Sequence, residues 1–190
     1  MSKKIVVITG SPRKTGNSFA MTDAFIKAAE AKNHTVTRFD AAMKNVGGCH
    51  ACETCYKTGK ACSFDDDFNT IAPAILEADA VVFATPVYWY SIPAQIKGVI
   101  DKMFSFCVAG KDVAGKECAL ITCCEEDDQS VMDGRCGRRG PSGGAHRQRR
   151  SARFYRRSIG ARHLRCRVKA LFIIKYHRRE LMRAQDSRDR

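Results

Sequence analysis

Ile5 to Thr9 is an unbroken run of apolar and β-branched residues that stops at Gly10. Continuous apolar character, as opposed to alternation, marks a strand buried on both faces, and such strands occur in parallel sheets covered by helices on either side. The next residues narrow the choice. Gly10-Ser11-Pro12-Arg13-Lys14-Thr15-Gly16-Asn17-Ser18 is a turn rich in hydroxyls and glycine, and it opens onto the helical pattern of Phe19, Ala20, Ala24, Phe25, Ala28 and Ala29. A strand, a polar loop and a helix N-terminus together make an anion site. Loop N–H groups point inward, the helix dipole adds positive potential, Ser11, Thr15, Asn17 and Ser18 can donate, and Arg13 brings a formal charge. A phosphate monoester fits there. The loop has neither the Gly-Lys-Ser/Thr ending of a P-loop nor the Gly-x-Gly-x-x-Gly spacing of dinucleotide folds. An ordinary turn closed by a Ser or Asn helix cap is the plainer reading of the same residues.

The βα alternation continues. Val36 to Phe39 reads as a second strand; Phe68, Ile71, Ile75 and Leu76 repeat at helical spacing behind Asp65 to Asp67; Ala80 to Thr85 reads as a third strand. That strand runs into Pro86-Val87-Tyr88-Trp89-Tyr90-Ser91, followed by Ile92, Ile96, Ile100, Met103 and Phe104 on one helical face. In an α/β doubly wound parallel sheet of order 2-1-3-4-5 the switch point lies between strands one and three, so the phosphate turn and the aromatic turn face one crevice. A ligand touching both needs a phosphate at one end and a flat, mostly apolar ring system at the other, which describes FMN. Taken singly, the aromatic residues read equally well as core or as a dimer contact.

At these residues the sequence resembles the NADPH-dependent FMN reductase family of flavodoxin-like proteins. The turn from Gly10 to Ser18 is similar to the family's phosphate loop. Pro86-Val87-Tyr88-Trp89, with Gln95, Lys97 and Asp101, is similar to its second signature; the likeness covers roughly residues 4 to 128. The resemblance implies that Ser11, Arg13, Thr15, Gly16, Asn17 and Ser18 hold the FMN phosphate. It also implies that Pro86, Val87, Tyr88 and Trp89 border the ribityl chain and isoalloxazine. The implied reaction passes hydride from NAD(P)H to the flavin and then electrons to an acceptor that the sequence does not identify. The flavin carries that chemistry, so no catalytic side chain is named.

Between strand two and the next helix, Cys49, Cys52, Cys55 and Cys62 stand at the spacing C-x2-C-x2-C-x6-C. Four thiolates so placed suit an iron–sulfur cluster such as [4Fe-4S], or tetrahedral zinc; metal-free loop thiols are the remaining reading. The segment resembles the iron–sulfur flavoproteins of the same superfamily, although Ser63 replaces the proline that follows the last cysteine in bacterial ferredoxin runs. Cys118 to Cys124 reads as strand four, its cysteines as small buried residues. Glu125 to Asp128 sits at its carboxyl edge, where it reads equally as a loop reaching the flavin rim or as a solvated acidic turn, and His34 and His50 read as surface residues.

The formal charge of +13 is not spread over the chain. Residues 1–133 hold 14 Lys and Arg against 17 Asp and Glu, while residues 134–190 hold 19 against 3. The basic type also reverses, from mostly lysine to 17 Arg and 2 Lys. The chain therefore divides into a flavodoxin-like FMN-binding domain at 1–133 and an Arg-rich tail at 134–190. Gly134 to Arg150 is too polar to order, Val168 to Tyr176 offers a fifth strand or a short helix face, and Arg178 to Arg190 is frayed. Three origins fit the tail: a nucleic-acid or membrane-surface arm, a divergent cap on the domain, or an altered reading frame. The abrupt lysine-to-arginine reversal favours the last. Nucleic-acid binding ranks behind the flavoenzyme because aromatic residues are not interleaved for base stacking. The chain has no run of ~20 apolar residues able to span a membrane and no signal peptide. The reading is thus a cytoplasmic protein with reduced or metal-bound cysteines, forming a homo-oligomer.

Overall fold

The computed structural model describes residues 1–111, 113 and 115–124, together with the backbone of 173–177. Its strands are β1 (Lys4–Thr9), β2 (Thr35–Asp40), β3 (Ala80–Pro86), β4 (Glu117–Cys124) and β5 (Ile173–His177). All pairings are parallel, in the order β2-β1-β3-β4-β5. The doubly wound sheet inferred from the apolar runs is therefore the observed architecture, and of the two forms open to Val168–Tyr176 the structure takes the strand, at Ile173–His177. The expected turn at Glu125–Asp128, the polar stretch Gly134–Arg150 and the terminal Arg178–Arg190 lie outside the described residues.

Side chains on β1 and β3 alternate between two cores. Val6, Ile8, Val81 and Phe83 point to a face covered by α2 (Phe68–Glu77), α3 (Ala94–Lys102) and α4 (Phe104–Val108), where Phe68, Ile75, Ile96, Val99 and Phe106 are fully buried. Ile5, Val7, Val82 and Ala84 point to the opposite face, under α1 (Asn17–Glu30). Helices on both faces explain why the central strands are apolar at every position.

Three local expectations need correction. The buried stripe of α1 is Ser18, Phe19, Met21, Thr22 and Ala29; the small residues Ala20, Ala24 and Ala28 face solvent, since alanine is as compatible with water as with a core. The helical face drawn from Ile92 to Phe104 is broken: α3 ends at Lys102, α4 begins at Phe104, and the Phe104 side chain is exposed. Within β4, Cys123 and Cys124 are buried but Cys118 is only half-buried.

Candidate functional site

Strand register sets the site. Thr9 on β1 pairs with Ala84 on β3, and the Gly10 N–H continues the ladder by donating to the Ala84 carbonyl at 2.9 Å. Beyond Gly10 the chain leaves β1 as the polar turn, while β3 runs on through Thr85 and Pro86 into the aromatic turn. The polar turn and the aromatic turn therefore start from adjacent strand ends, at the point where the strand order reverses. Glycine at position 10 permits this closeness, because a Cβ there would lie 2.9 Å from Thr85 Oγ1 and 3.1 Å from Ile96 Cβ.

The polar turn is held by its own hydrogen bonds. The Ser11 Oγ accepts the Arg13 N–H at 3.2 Å, and the Gly16 N–H donates to the Arg13 carbonyl at 3.1 Å, which closes the turn on itself. Gly16 is the N-cap of α1, and no side chain caps the helix. The plainer reading of this turn required a Ser or Asn cap, and the structure does not contain one. Ser11 and Ser18 are buried at the base, whereas Arg13, Thr15 and Asn17 are exposed around it. The Ser18 hydroxyl lies 3.2 Å from the Cys123 thiol of β4, which fixes the first turn of α1 over the sheet end; burial holds that thiol above its ordinary pKa, so it stays neutral.

In the aromatic turn, Tyr88 and Ser91 exchange backbone hydrogen bonds of 2.9 and 3.0 Å. Trp89 and Tyr90 between them both have positive φ, 47° and 62°. Two successive positive-φ residues define a type I′ turn, a conformation that ordinarily selects Asn-Gly and strains bulky side chains. Here it carries two aromatic rings, 6.1 Å apart and edge to face. Trp89 is 90% exposed, so the ring is not core.

The four cysteines are brought together as well. Cys49, Cys52, Cys55 and Cys62 are unpaired thiols and border one concavity, which is closed on one side by Lys102 and Phe104. Among the described residues no three His, Cys, Asp or Glu side chains converge closely enough to hold a single metal ion. Backbone φ is positive at Ala51, Glu53 and Tyr56, and Cys52, Thr54 and Cys55 between them are not in that region. Three non-glycine residues in the left-handed region within six positions make this loop sharply bent around its cysteines. The loop is fastened at both ends. Asp66 accepts the N–H groups of Gly47 and Phe68, both at 2.8 Å; Asp67 accepts that of Asn45 at 2.8 Å; Asn69 accepts that of Cys62 at 2.7 Å. Hydrogen bonds from the Thr54 side chain and backbone lower the Cys52 pKa, while burial raises that of Cys55.

The sequence reading missed Lys102. Its side chain is 4% exposed, its Nζ donates to Cys62 Sγ at 3.3 Å, and it pairs with the buried Asp66 at 3.2 Å. A signal was present: Ile96, Val99 and Lys102 recur at three-residue spacing, which puts a charge on the buried stripe of α3. His50 is exposed as expected and stacks on Phe64 at 4.9 Å. His34 is half-buried, its Nδ1 accepting the Lys3 N–H at 3.1 Å.

A five-stranded parallel sheet with an uncapped polar turn and an aromatic turn at its crossover defines a flavodoxin-like protein of the α/β class. The chain belongs to the NADPH-dependent FMN reductase family, whose sequence model matches residues 3–131. An iron-sulfur flavoprotein from Archaeoglobus fulgidus is 38% identical over 103 residues, covering 54% of this chain and 46% of the relative. One from Methanosarcina thermophila is 32% identical over 99 residues, covering 52% and 51%. The chain thus spans about half the length of these curated relatives. The NAD(P)H:quinone oxidoreductase of Methanothermobacter marburgensis superposes with a TM-score of 0.62 at 16% identity, covering 98% of this chain and 94% of that one, a likeness of fold. Among the described residues no helix is long and apolar enough to cross a membrane.

Proposed function

We propose that this chain is a flavin-dependent oxidoreductase that takes electrons from NAD(P)H through bound FMN to an acceptor. The carrying observation is that the polar turn and the aromatic turn leave the adjacent, paired ends of β1 and β3, with a helix lacking a side-chain cap behind one turn and exposed rings on the other. FMN supplies hydride acceptance and electron transfer when bound; the protein's own residues bind and orient it. Ser11, whose oxygen already accepts the Arg13 N–H, keeps its hydroxyl proton for a phosphate oxygen. Ser18, Thr15, Asn17 and the Arg13 guanidinium surround the phosphate, with Gly16 as the turn residue that leads into α1, while Pro86, Val87, Tyr88 and Trp89 border the ribityl chain and ring. The division into a flavin domain at 1–133 and an Arg-rich tail at 134–190, a cytoplasmic location and a homo-oligomer belong to the same proposal.

Anaerobic purification followed by an absorption spectrum tests it. Bound FMN gives two visible bands; colourless protein that also fails to take up FMN overturns the reading. Asn17→Asp places a carboxylate at the first turn of α1, facing the phosphate. FMN affinity is expected to fall at least tenfold, about 1.4 kcal/mol, with riboflavin uptake unchanged. Equal losses for both ligands would show that the phosphate does not sit at this turn.

A second reading, an iron–sulfur flavoprotein acting as an electron carrier, is favoured by the cysteine concavity. Tetrahedral zinc, with bonds of about 2.3 Å, needs thiolates about 3.8 Å apart, whereas a four-iron core holds them wider. The concavity bordered by all four cysteines supports a cluster, with zinc and metal-free thiols as the alternatives that an iron assay of anaerobically purified protein distinguishes. A carrier would show flavin and cluster spectra with negligible NAD(P)H oxidation. For the tail, an altered reading frame remains the proposal, and an uninterrupted frame around codon 134 in independent DNA clones would eliminate it. Were the tail a genuine arm, nucleic-acid affinity would fall steeply with salt across unrelated sequences.

A further inference from the structure

We propose that Lys102 is a positioning residue that sets the reduction potential of the cluster held by Cys49, Cys52, Cys55 and Cys62, by presenting a buried positive charge to the Cys62 sulfur. The inference rests on the cluster reading of the cysteine concavity. Lysine is almost never fully buried without a partner, because removing an ammonium from water costs several kcal/mol. Here the side chain is 4% exposed and has two partners, Asp66 Oδ2 at 3.2 Å and Cys62 Sγ at 3.3 Å. Asp66 is itself 6% exposed, and its two oxygens accept the N–H groups of Gly47 and Phe68 as well. That network holds the carboxylate still, and the carboxylate holds the ammonium against the sulfur.

Four thiolates around a four-iron core leave the oxidised site with a net charge of about −2 and the reduced site about −3. Reduction adds one electron and breaks no bond, so the chain must answer the extra negative charge. Lys102 lines the concavity and hydrogen-bonds a ligand sulfur, and hydrogen bonds to sulfur are among the factors that set cluster potential. The stabilisation is larger in the reduced state than in the oxidised one, so the potential rises. Asp66 opposes part of this effect, but the ammonium is the group that donates directly to the sulfur, at 3.3 Å.

The test is an anaerobic redox titration of the full chain carrying flavin and iron, with dithionite as reductant and electron paramagnetic resonance of the reduced cluster as readout. Lys102→Met alone strands a buried carboxylate and invites misfolding, so the variant that decides is Lys102→Met/Asp66→Asn, which removes both charges. Lys102→Arg, which keeps the cation, is the companion. The double variant is expected to keep its iron and to become at least tenfold harder to reduce, a fall of about 59 mV for one electron. The arginine variant should stay within twofold of the parent, and the flavin potential should not move in either. An unchanged cluster potential with iron retained overturns the proposal. So does loss of iron from the double variant, because Lys102 would then serve assembly, and so does a shift shared by the flavin. Parent protein that binds no iron marks the separate failure of the cluster reading.

Discussion

Cys52→Ser/Cys55→Ser is expected to abolish iron binding while leaving FMN uptake intact. Neither residue belongs to the two apolar cores, and both lie in the loop between Gly47 and Asp66 that is tied down by aspartate and asparagine side chains elsewhere. Serine preserves size and polarity but offers no thiolate, and two remaining cysteines cannot hold a four-iron group that needs four ligands. Iron measured on anaerobically reconstituted protein should fall from about four per chain to background. Unchanged iron in the double variant would mean that the ligands are other residues.

The second large effect concerns Gly10. Gly10→Val forces a Cβ to within 2.9 Å of Thr85 Oγ1 and 3.1 Å of Ile96 Cβ, then adds two methyl groups. Neither neighbour has room to retreat, since Ile96 is fully buried in the core and Thr85 is buried in β3. Overpacking of this kind costs about 1–3 kcal/mol, and the upper end applies because the obstacle includes a buried hydroxyl. The strand ends must separate to relieve it, and the same separation pulls the two turns apart. Chemical denaturation should show a loss of about 3 kcal/mol, accompanied by loss of FMN binding. A change below about 0.5 kcal/mol, within the range of ordinary surface substitutions, would mean that the close approach is not a constraint.

Much of the architecture could be read from the chain because the physics that sets it is local. Ile5–Thr9 and Ala80–Thr85 are apolar at every position, and only a strand covered on both faces has use for that pattern. The crossover order then puts the two turns at neighbouring strand ends. Side-chain roles were harder to read where small residues are indifferent to burial, as with Ala20, Ala24 and Ala28 of α1, which lie on the solvent side. The break between α3 and α4 at Met103 was hidden because Ile100, Met103 and Phe104 continue an apolar pattern through it. The cysteine spacing announced a ligand set, but Lys102 is 40 residues from the Cys62 it touches, and long-range pairing leaves no periodic trace. The strained turn at Trp89–Tyr90 was equally invisible, since residue type argues against a type I′ geometry there.

Pairing of β4 with β5 runs from Leu120↔Ile173 to Cys124↔His177. A ribosome therefore finishes β4 well before it makes the strand that pairs with its outer edge. At about 5–20 residues per second, the interval between codons 124 and 177 is on the order of 3–10 s. Until the second strand arrives, β4 offers an open row of amides and carbonyls to any other nascent chain. Yield in the cell should accordingly respond to translation speed and chaperone supply through this stretch more than to the strength of the finished core.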